Sequence, residues 1–285
     1  MAEAKKKLVV FTDLDGTLLD HDDYSWQAAK PALAELKRRQ CPIILNSSKT
    51  RPEIEALRKE MANSDPFIVE NGSAVCIPEH HFASQKNELT IKRFGPNRDD
   101  ILKILEGLRK GYGYSFKSFQ DMSVKQLAET TGLDMASARM AKQRDASEPL
   151  VWLDSEVRLH SFMSRLSTLG LTVIAGGRFY HVMGSVSKAD SIEWLMNAYR
   201  DQYPENVFVS VGLGDSFNDI PMLEAVDLPV LVAGKHGKQI MIKRDDLIRT
   251  KEPGPVGWNQ AILTLIESEL APDNCIEHTL RECDD

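Results

Sequence analysis

The sequence predicts an α/β protein: a doubly wound, Rossmann-like parallel-sheet core with an inserted α+β cap. Three observations predict it. Short, β-favouring apolar runs alternate with helical patterns through the N-terminal quarter, a βαβαβ order that implies right-handed crossovers. The runs are continuously apolar rather than alternating, as parallel strands covered on both faces are. The alternation breaks into short strands, helices and a hairpin in the middle third of the chain, then resumes.

Residues 8–12 (Leu-Val-Val-Phe-Thr) read as the first strand, running straight into Asp13-Leu14-Asp15-Gly16-Thr17. Residues 26–40 carry Ala29, Leu33 and Leu36 at helical spacing, with Ser25 available as N-cap. Residues 42–45 form a second strand, ending in Asn46-Ser47-Ser48-Lys49-Thr50, and 51–62 a helix with Pro52 in its first turn. Residues 67–69 form a third strand, followed by Glu70-Asn71-Gly72. The change of pattern spans about Ser84 to Ser185, so the expected division is a core of 1–83 and 186–285 around an insertion of 84–185. Within it we expect strands at 89–93, 114–118 and 150–153, helices at 98–108, 124–130, 135–142 and 156–169, and a hairpin of 171–175 and 179–183 turning at Gly176-Gly177-Arg178. A helix over 187–203 then returns the chain to the core. A strand over 207–212 runs into Gly214-Asp215-Ser216-Phe217-Asn218-Asp219, Pro221 opens a short helix, 228–232 is a strand and 259–270 a closing helix. The last fifteen residues are acidic and polar and are expected to be loosely held.

Composition excludes several classes. The 285 residues carry a net charge of −7 with no long stripe of Lys and Arg, which argues against a nucleic-acid partner. Lys5-Lys6-Lys7 reads as a solvated terminus, and no apolar run reaches the length of a membrane span or a signal-peptide core. Cys41, Cys76, Cys275 and Cys283 lack zinc-site or disulfide-framework spacing; Cys41 and Cys76 read as small buried hydrophobes. His80-His81 reads as an exposed polar turn. A reduced, cytoplasmic setting is the default expectation, and the oligomeric state is open.

Chemistry gathers in four polar segments, each following an apolar strand: Asp13/Asp15, Ser47/Ser48, Asn71 and Asp215/Asn218/Asp219. On a parallel sheet all four loops lie at one edge, where ligands of open α/β sheets bind. Taken alone, Asp13-Leu14-Asp15-Gly16 is equally an Asp-Gly turn whose carboxylates cap backbone N–H groups. Together, so many carboxylates repel one another unless a cation joins them. Oxygen ligands without imidazole or thiolate fit Mg²⁺, which also screens an anionic phosphate from an attacking carboxylate. Lys188, read alone, is a surface lysine; beside an acidic phosphate site it is the cation that holds phosphate and aspartate together. The sequence lacks the third glycine of a dinucleotide fingerprint after Gly212-Leu213-Gly214. It has no Gly-Lys-Ser/Thr phosphate loop and no nucleophile elbow around Ser47 and Ser48.

These residues resemble the haloacid dehalogenase superfamily of phosphatases. Asp13-x-Asp15-Gly16-Thr17 is similar to its first motif, Ser47 to the second, Lys188 to the third, and Gly214-Asp215-x-x-Asn218-Asp219 to the fourth. The resemblance implies that Asp13 is the nucleophile and Asp15 the general acid/base. It implies that Asp13, the backbone carbonyl of Asp15 and Asp215 bind Mg²⁺, with Asp219 supporting that metal shell. The insertion resembles the α/β cap of the sugar-phosphatase branch. Within that branch, the stretches Phe11 to Asp20, Asn46 to Arg51, Glu70-Asn71-Gly72 and Gly176-Gly177-Arg178-Phe179-Tyr180-His181 resemble the mannosyl-3-phosphoglycerate phosphatases. That resemblance implies a small substrate bearing a phosphate and a carboxylate, a phosphorylated sugar or glycerate. Lys49, Arg51 and Arg178 are then candidate cations for it, joined by Ser48, Asn71 and Asn218; read without the resemblance, the three cations are ordinary helix-start or hairpin residues. The expected activity is Mg²⁺-dependent hydrolysis of mannosyl-3-phosphoglycerate through an aspartyl-phosphate. The alternatives are a phosphatase of another sugar phosphate, a sugar phosphomutase, and a binding protein that keeps the fold without catalysis.

Overall fold

The computed structural model describes residues 5–83, 88–176, 178–234 and 239–270. Eight strands form the main sheet: β1 (Lys5–Thr12), β2 (Ile43–Asn46), β3 (Phe67–Val69), β4 (Ala74–Ile77), β5 (Thr90–Arg93), then β10 (Asn206–Gly214), β11 (Leu228–Ala233) and β12 (Ile248–Pro253). Their spatial order is β12-β11-β10-β1-β2-β3-β4-β5; the first six run parallel, and β4 and β5 add an antiparallel edge. Helices α1 (Lys30–Arg38), α2 (Arg51–Glu60), α7 (Lys188–Gln202), α8 (Ile220–Ala225) and α9 (Gly254–Glu269) cover its faces. Alternation along β1 sends Leu8 and Val10 into one cluster with Trp258, Leu36 and Ile262, and Val9 and Phe11 into another with Leu195, Tyr199 and Met222. Both clusters are buried, so the run of apolar residues in β1 reflects two covered faces.

A second sheet, order β6-β7-β9-β8 and antiparallel throughout, comprises β6 (Phe116–Ser118), β7 (Ser147–Trp152), β8 (Leu171–Gly176) and β9 (Phe179–Gly184). Helices α3 (Arg98–Tyr112) and α6 (Glu156–Thr168) pack on one face through Leu105, Phe162 and Leu166 against Leu150 and Val182. Helices α4 (Val124–Thr131) and α5 (Met135–Ala141) pack at the other, where Leu127 and Ala138 meet Phe119, Val151 and Phe179.

Several expectations are corrected. The strand at Thr90–Arg93, expected in the inserted unit, pairs with β4 and belongs to the main sheet. Strands β4 and β12 are additions to the expected elements: β4 follows β3 after only four residues, a tight turn at Glu70-Asn71-Gly72-Ser73. The expected helix 26–40 is a 3-10 turn, Gln27–Ala29, leading into α1, and the Ser25 hydroxyl accepts from the Gln27 N–H at 3.3 Å. Lys5-Lys6-Lys7 opens β1 instead of forming a free terminus. His81 is partly buried, its Nε2 2.8 Å from the Tyr199 hydroxyl. Cys41 and Cys76 are buried free thiols, as expected. The expected loose tail, Cys275, Cys283, Gly177 and the start of the insertion at Ser84 lie outside the described residues. No helix among the described residues is long and apolar enough to cross a membrane.

Candidate active site

Register brings the acidic loops together. Thr12 stands opposite Leu213 on β10 and Leu45 on β2, and the Asp13 N–H continues the ladder to the Leu213 carbonyl at 2.9 Å. The strand ends at Asp13, Ser47, Glu70 and Asp215 therefore lie side by side on one edge of the sheet. From behind, Trp258 Nε1 donates to Thr12 Oγ1 at 2.9 Å, and that hydroxyl donates to the Asp13 carbonyl at 2.8 Å. Gly16 makes the turn at φ +81°, where an added Cβ would stand 2.8 Å from Asp215 Oδ2.

Asp13, Asp215 and Asp219 each offer a carboxylate oxygen, all within 4.8 Å of one another. Lys188, at the start of α7, places its buried Nζ 2.8 Å from Asp13 Oδ1, 2.6 Å from Asp219 Oδ1 and 3.0 Å from the Asn46 carbonyl. Asp219 is fully used: its Oδ2 also accepts from the Asp215 and Ser216 N–H groups and from the Ser216 hydroxyl, at 3.2, 3.1 and 2.8 Å. Asp215 accepts from the Thr17 hydroxyl at 3.1 Å. Burial first, then the Asp219 charge, pushes Asp13 up to about 8 against the pull of Lys188. The same two causes push Asp215 up to about 6. Burial alone would lower Lys188, but Asp13 and Asp219 outweigh it and hold the ammonium above its ordinary range. Three carboxylates thus crowd one ammonium, and an all-oxygen donor set of this kind fits a hard divalent cation.

Asp15 points elsewhere. Its Oδ2 is 2.9 Å from Lys49 Nζ, and its buried Oδ1 has no hydrogen-bond partner among the described residues. The Asp15 carboxylate is outside the three-carboxylate cluster. Ser47 is buried; its carbonyl accepts from the Asn71 N–H at 3.0 Å and its hydroxyl from the Lys49 N–H at 3.3 Å. Asn71 in turn accepts from Asn218 Nδ2 at 3.4 Å. Ser48 turns its carbonyl to Arg144 Nη2 at 2.8 Å.

Two of the candidate cations are engaged elsewhere. Arg51 pairs with Glu55 at 3.1 Å and Asp145 at 3.5 Å. Arg178 donates to the Thr131 carbonyl at 2.7 Å, at the end of α4. Four residues escaped sequence reasoning: Thr17, Ser216, Glu70 and Arg144. Thr17, Ser216 and Glu70 sit inside quoted motifs and could have been found there. Glu70 and Arg144 find their partners only across the fold. A cavity of about 640 Å³ between Lys7, Trp26, Lys37 and Tyr203 lies at the opposite end of the sheet and holds none of these groups.

Residues 10–239 match the family of haloacid dehalogenase-like hydrolases. The chain belongs to that family. A glucosyl-3-phosphoglycerate/mannosyl-3-phosphoglycerate phosphatase of Methanococcoides burtonii is 39% identical over 91% of this chain and 97% of its own length. A protein of the same description from Persephonella marina is 35% identical, with the same coverage. The fold matches a haloalkanoate-superfamily phosphatase of Bacteroides thetaiotaomicron with a TM-score of 0.63 at 19% identity, over 92% of this chain and 94% of that one. This haloacid dehalogenase-like hydrolase is a phosphoric monoester hydrolase.

Proposed function

We propose that the protein hydrolyses the phosphate ester of a glycosyl-3-phosphoglycerate, the mannosyl compound foremost, through an aspartyl-phosphate at Asp13. The observation that carries this reading is the Lys188 ammonium, bonded at once to Asp13 and Asp219 inside a cluster of three carboxylates. The names of the two relatives support the substrate. Asp13 and Asp215, with the backbone carbonyl of Asp15, would hold Mg²⁺. When bound, the ion screens the incoming phosphate from the carboxylate that attacks it. Asp219, its oxygens already occupied, keeps Lys188 and the 215–216 backbone in place.

The Asp13 carboxylate attacks phosphorus as the P–O ester bond breaks, and Asp15 gives its proton to the leaving alkoxide. Asp15, now ionised, takes a proton from the water that attacks the aspartyl-phosphate, releasing phosphate and restoring Asp13. Lys188 aims Asp13 and opposes the burial and the Asp219 charge that favour its protonated form. Lys49, beside Asp15, stands nearest the leaving group, and Ser47, Ser48, Asn71 and Asn218 face the phosphate and its ester. Arg51 and Arg178 would have to leave Asp145 and Thr131 to take the substrate carboxylate. Within residues 84–185, the part built around the second sheet acts as the lid that excludes water.

The test is phosphate release from a panel of phosphorylated sugars and glycosyl phosphoglycerates with Mg²⁺, alongside Asp13→Asn. The reading expects the highest kcat/KM on a glycosyl-3-phosphoglycerate and no turnover by the variant. A better substrate lacking a carboxylate would overturn the substrate assignment. Normal turnover by the variant would overturn the mechanism.

A further inference from the structure

Glu70 is fully buried, yet it carries a carboxylate that none of the chemistry above uses. Its Oε1 accepts from the Asp145 N–H at 2.7 Å, and its Oε2 from the Ala146 N–H at 3.2 Å and the Ser147 hydroxyl at 2.5 Å. Arg144 Nε lies 3.5 Å from Oε2, and its Nη2 crosses to the Ser48 carbonyl at 2.8 Å. A buried carboxylate is costly unless donors surround it, and every donor here comes from one segment of the inserted unit, 144–147.

The backbone of Glu70 is equally committed. Glu70 and Asn71 both stand in the left-handed region, at φ 50° and 60°, which non-glycine residues hold only where surrounding contacts over-determine them. The Glu70 N–H donates to the Lys49 carbonyl at 3.0 Å, and the Asn71 N–H to the Ser47 carbonyl at 3.0 Å. Asn71 also meets Asn218, and Gly72 packs directly on the Ser187 carbonyl at the start of the Lys188 helix. One three-residue turn therefore touches the loops of Ser47 and Asn218, the Lys188 helix and the inserted unit.

We propose that Glu70 is the positioning residue that seats the inserted unit on the core, making lid placement and alignment of Ser47 and Asn71 a single event. The proposal rests on the phosphatase reading of the site. A lid joined only by the chain before α3 and the chain before α7 would swing without disturbing the loops. The buried contact at 144–147 ties the two together: movement that breaks it removes the donors that hold the turn at Glu70. Glu70 spends its carboxylate on residues 144–147 and acts on the site through Ser47 and Asn71.

The test compares the full chain with Glu70→Ala, Glu70→Gln and Ser147→Ala. The first readout is amide hydrogen exchange, which needs no activity. Losing the acceptor in Glu70→Ala should speed exchange at Asp145 and Ala146 about tenfold or more, leaving the β8–β9 amides unchanged. The second is kinetics: kcat/KM should fall about 10²-fold on a glycosyl phosphoglycerate, through the lid and the Ser47 and Asn71 loops together, and less on a small aryl phosphate, which uses those loops but not the lid. Glu70→Gln keeps the volume and should move both readouts the same way but less. Ser147→Ala should add nothing to Glu70→Ala in the double variant. Unchanged exchange at 145–146, or equal acceleration across both sheets, would overturn the proposal, as would equal kinetic losses on both substrates. A wild-type protein that hydrolysed no phosphate ester would sink the functional reading alone, because the exchange measurement would still judge Glu70.

Discussion

Lys188 and Asp13 lie 175 positions apart in the chain, and their side chains meet at 2.8 Å in the buried floor of the site. The same ammonium serves Asp219 and the Asn46 carbonyl, so one cation compensates two buried carboxylates. Lys188→Met removes it and leaves both uncompensated. Steady-state turnover should fall by about 10²–10³-fold, the scale of losing a preorganised charge partner. The melting temperature without added metal should fall as well. Near-normal kcat in this variant would assign Lys188 to the scaffold.

The acidic cluster sets a pH dependence whose sign follows from the direction of the shifts. Asp13 and Asp215 are pushed from an ordinary value of 3.8 up to about 8 and about 6. Without a cation, the folded chain then holds protons that the unfolded chain has released. The stability these groups contribute is full below about pH 4 and is lost as pH rises through about 6 to 8. A divalent cation competes with those protons, so the gain in melting temperature on adding Mg²⁺ should be larger at pH 8 than at pH 5. Thermal unfolding with and without Mg²⁺ at the two pH values checks this. Equal gains would remove Asp13 and Asp215 from the binding site of the ion.

Asp15 faces Lys49 rather than the carboxylate cluster, so its proposed proton transfer at the leaving group can be tested apart from the metal site. Asp15→Asn should slow turnover of a sugar phosphate by about 10²–10⁴-fold, with a smaller change in substrate affinity. The loss should shrink for an aryl phosphate, whose leaving group needs little protonation. Equal losses across leaving groups would take the acid role away from Asp15.

Gly72 stands at φ +95°, and a Cβ there would meet the Ser187 carbonyl oxygen at 2.5 Å. Gly72→Ala therefore combines left-handed strain, about 1–3 kcal/mol, with a backbone clash at the start of α7. The melting temperature should drop by roughly 2–4 °C per kcal/mol lost, and kcat should fall because Lys188 is the next residue along. An unchanged melting temperature would mean that the turn relaxes without moving the helix.

Much of the site was legible before any tertiary structure because it depends on local order along the chain. Asp13, Asp15, Ser47 and Asp215 each follow an apolar strand, and a parallel sheet puts all such ends on one edge. Lys188 and Asp219 were recognisable from their motifs. The doubly wound core and the second sheet follow from runs of periodicity that hydrophobic burial enforces residue by residue.

What only the tertiary structure decided is which partner each long or buried polar side chain takes. Lys49 chose Asp15; Arg51 chose Glu55 and Asp145; Arg178 chose the Thr131 carbonyl. Thr90–Arg93 joined the main sheet because β4 offered an open antiparallel edge, which its own residues do not announce. Glu70 is visible in the sequence only as part of the Glu70-Asn71-Gly72 turn; its donors lie about 75 positions downstream and meet it only once both units are folded. Sequence patterning reports burial and turn chemistry, which act over a few residues. Hydrogen bonds and ion pairs between distant segments are settled by packing, because a buried charge must find its donors wherever the fold has placed them.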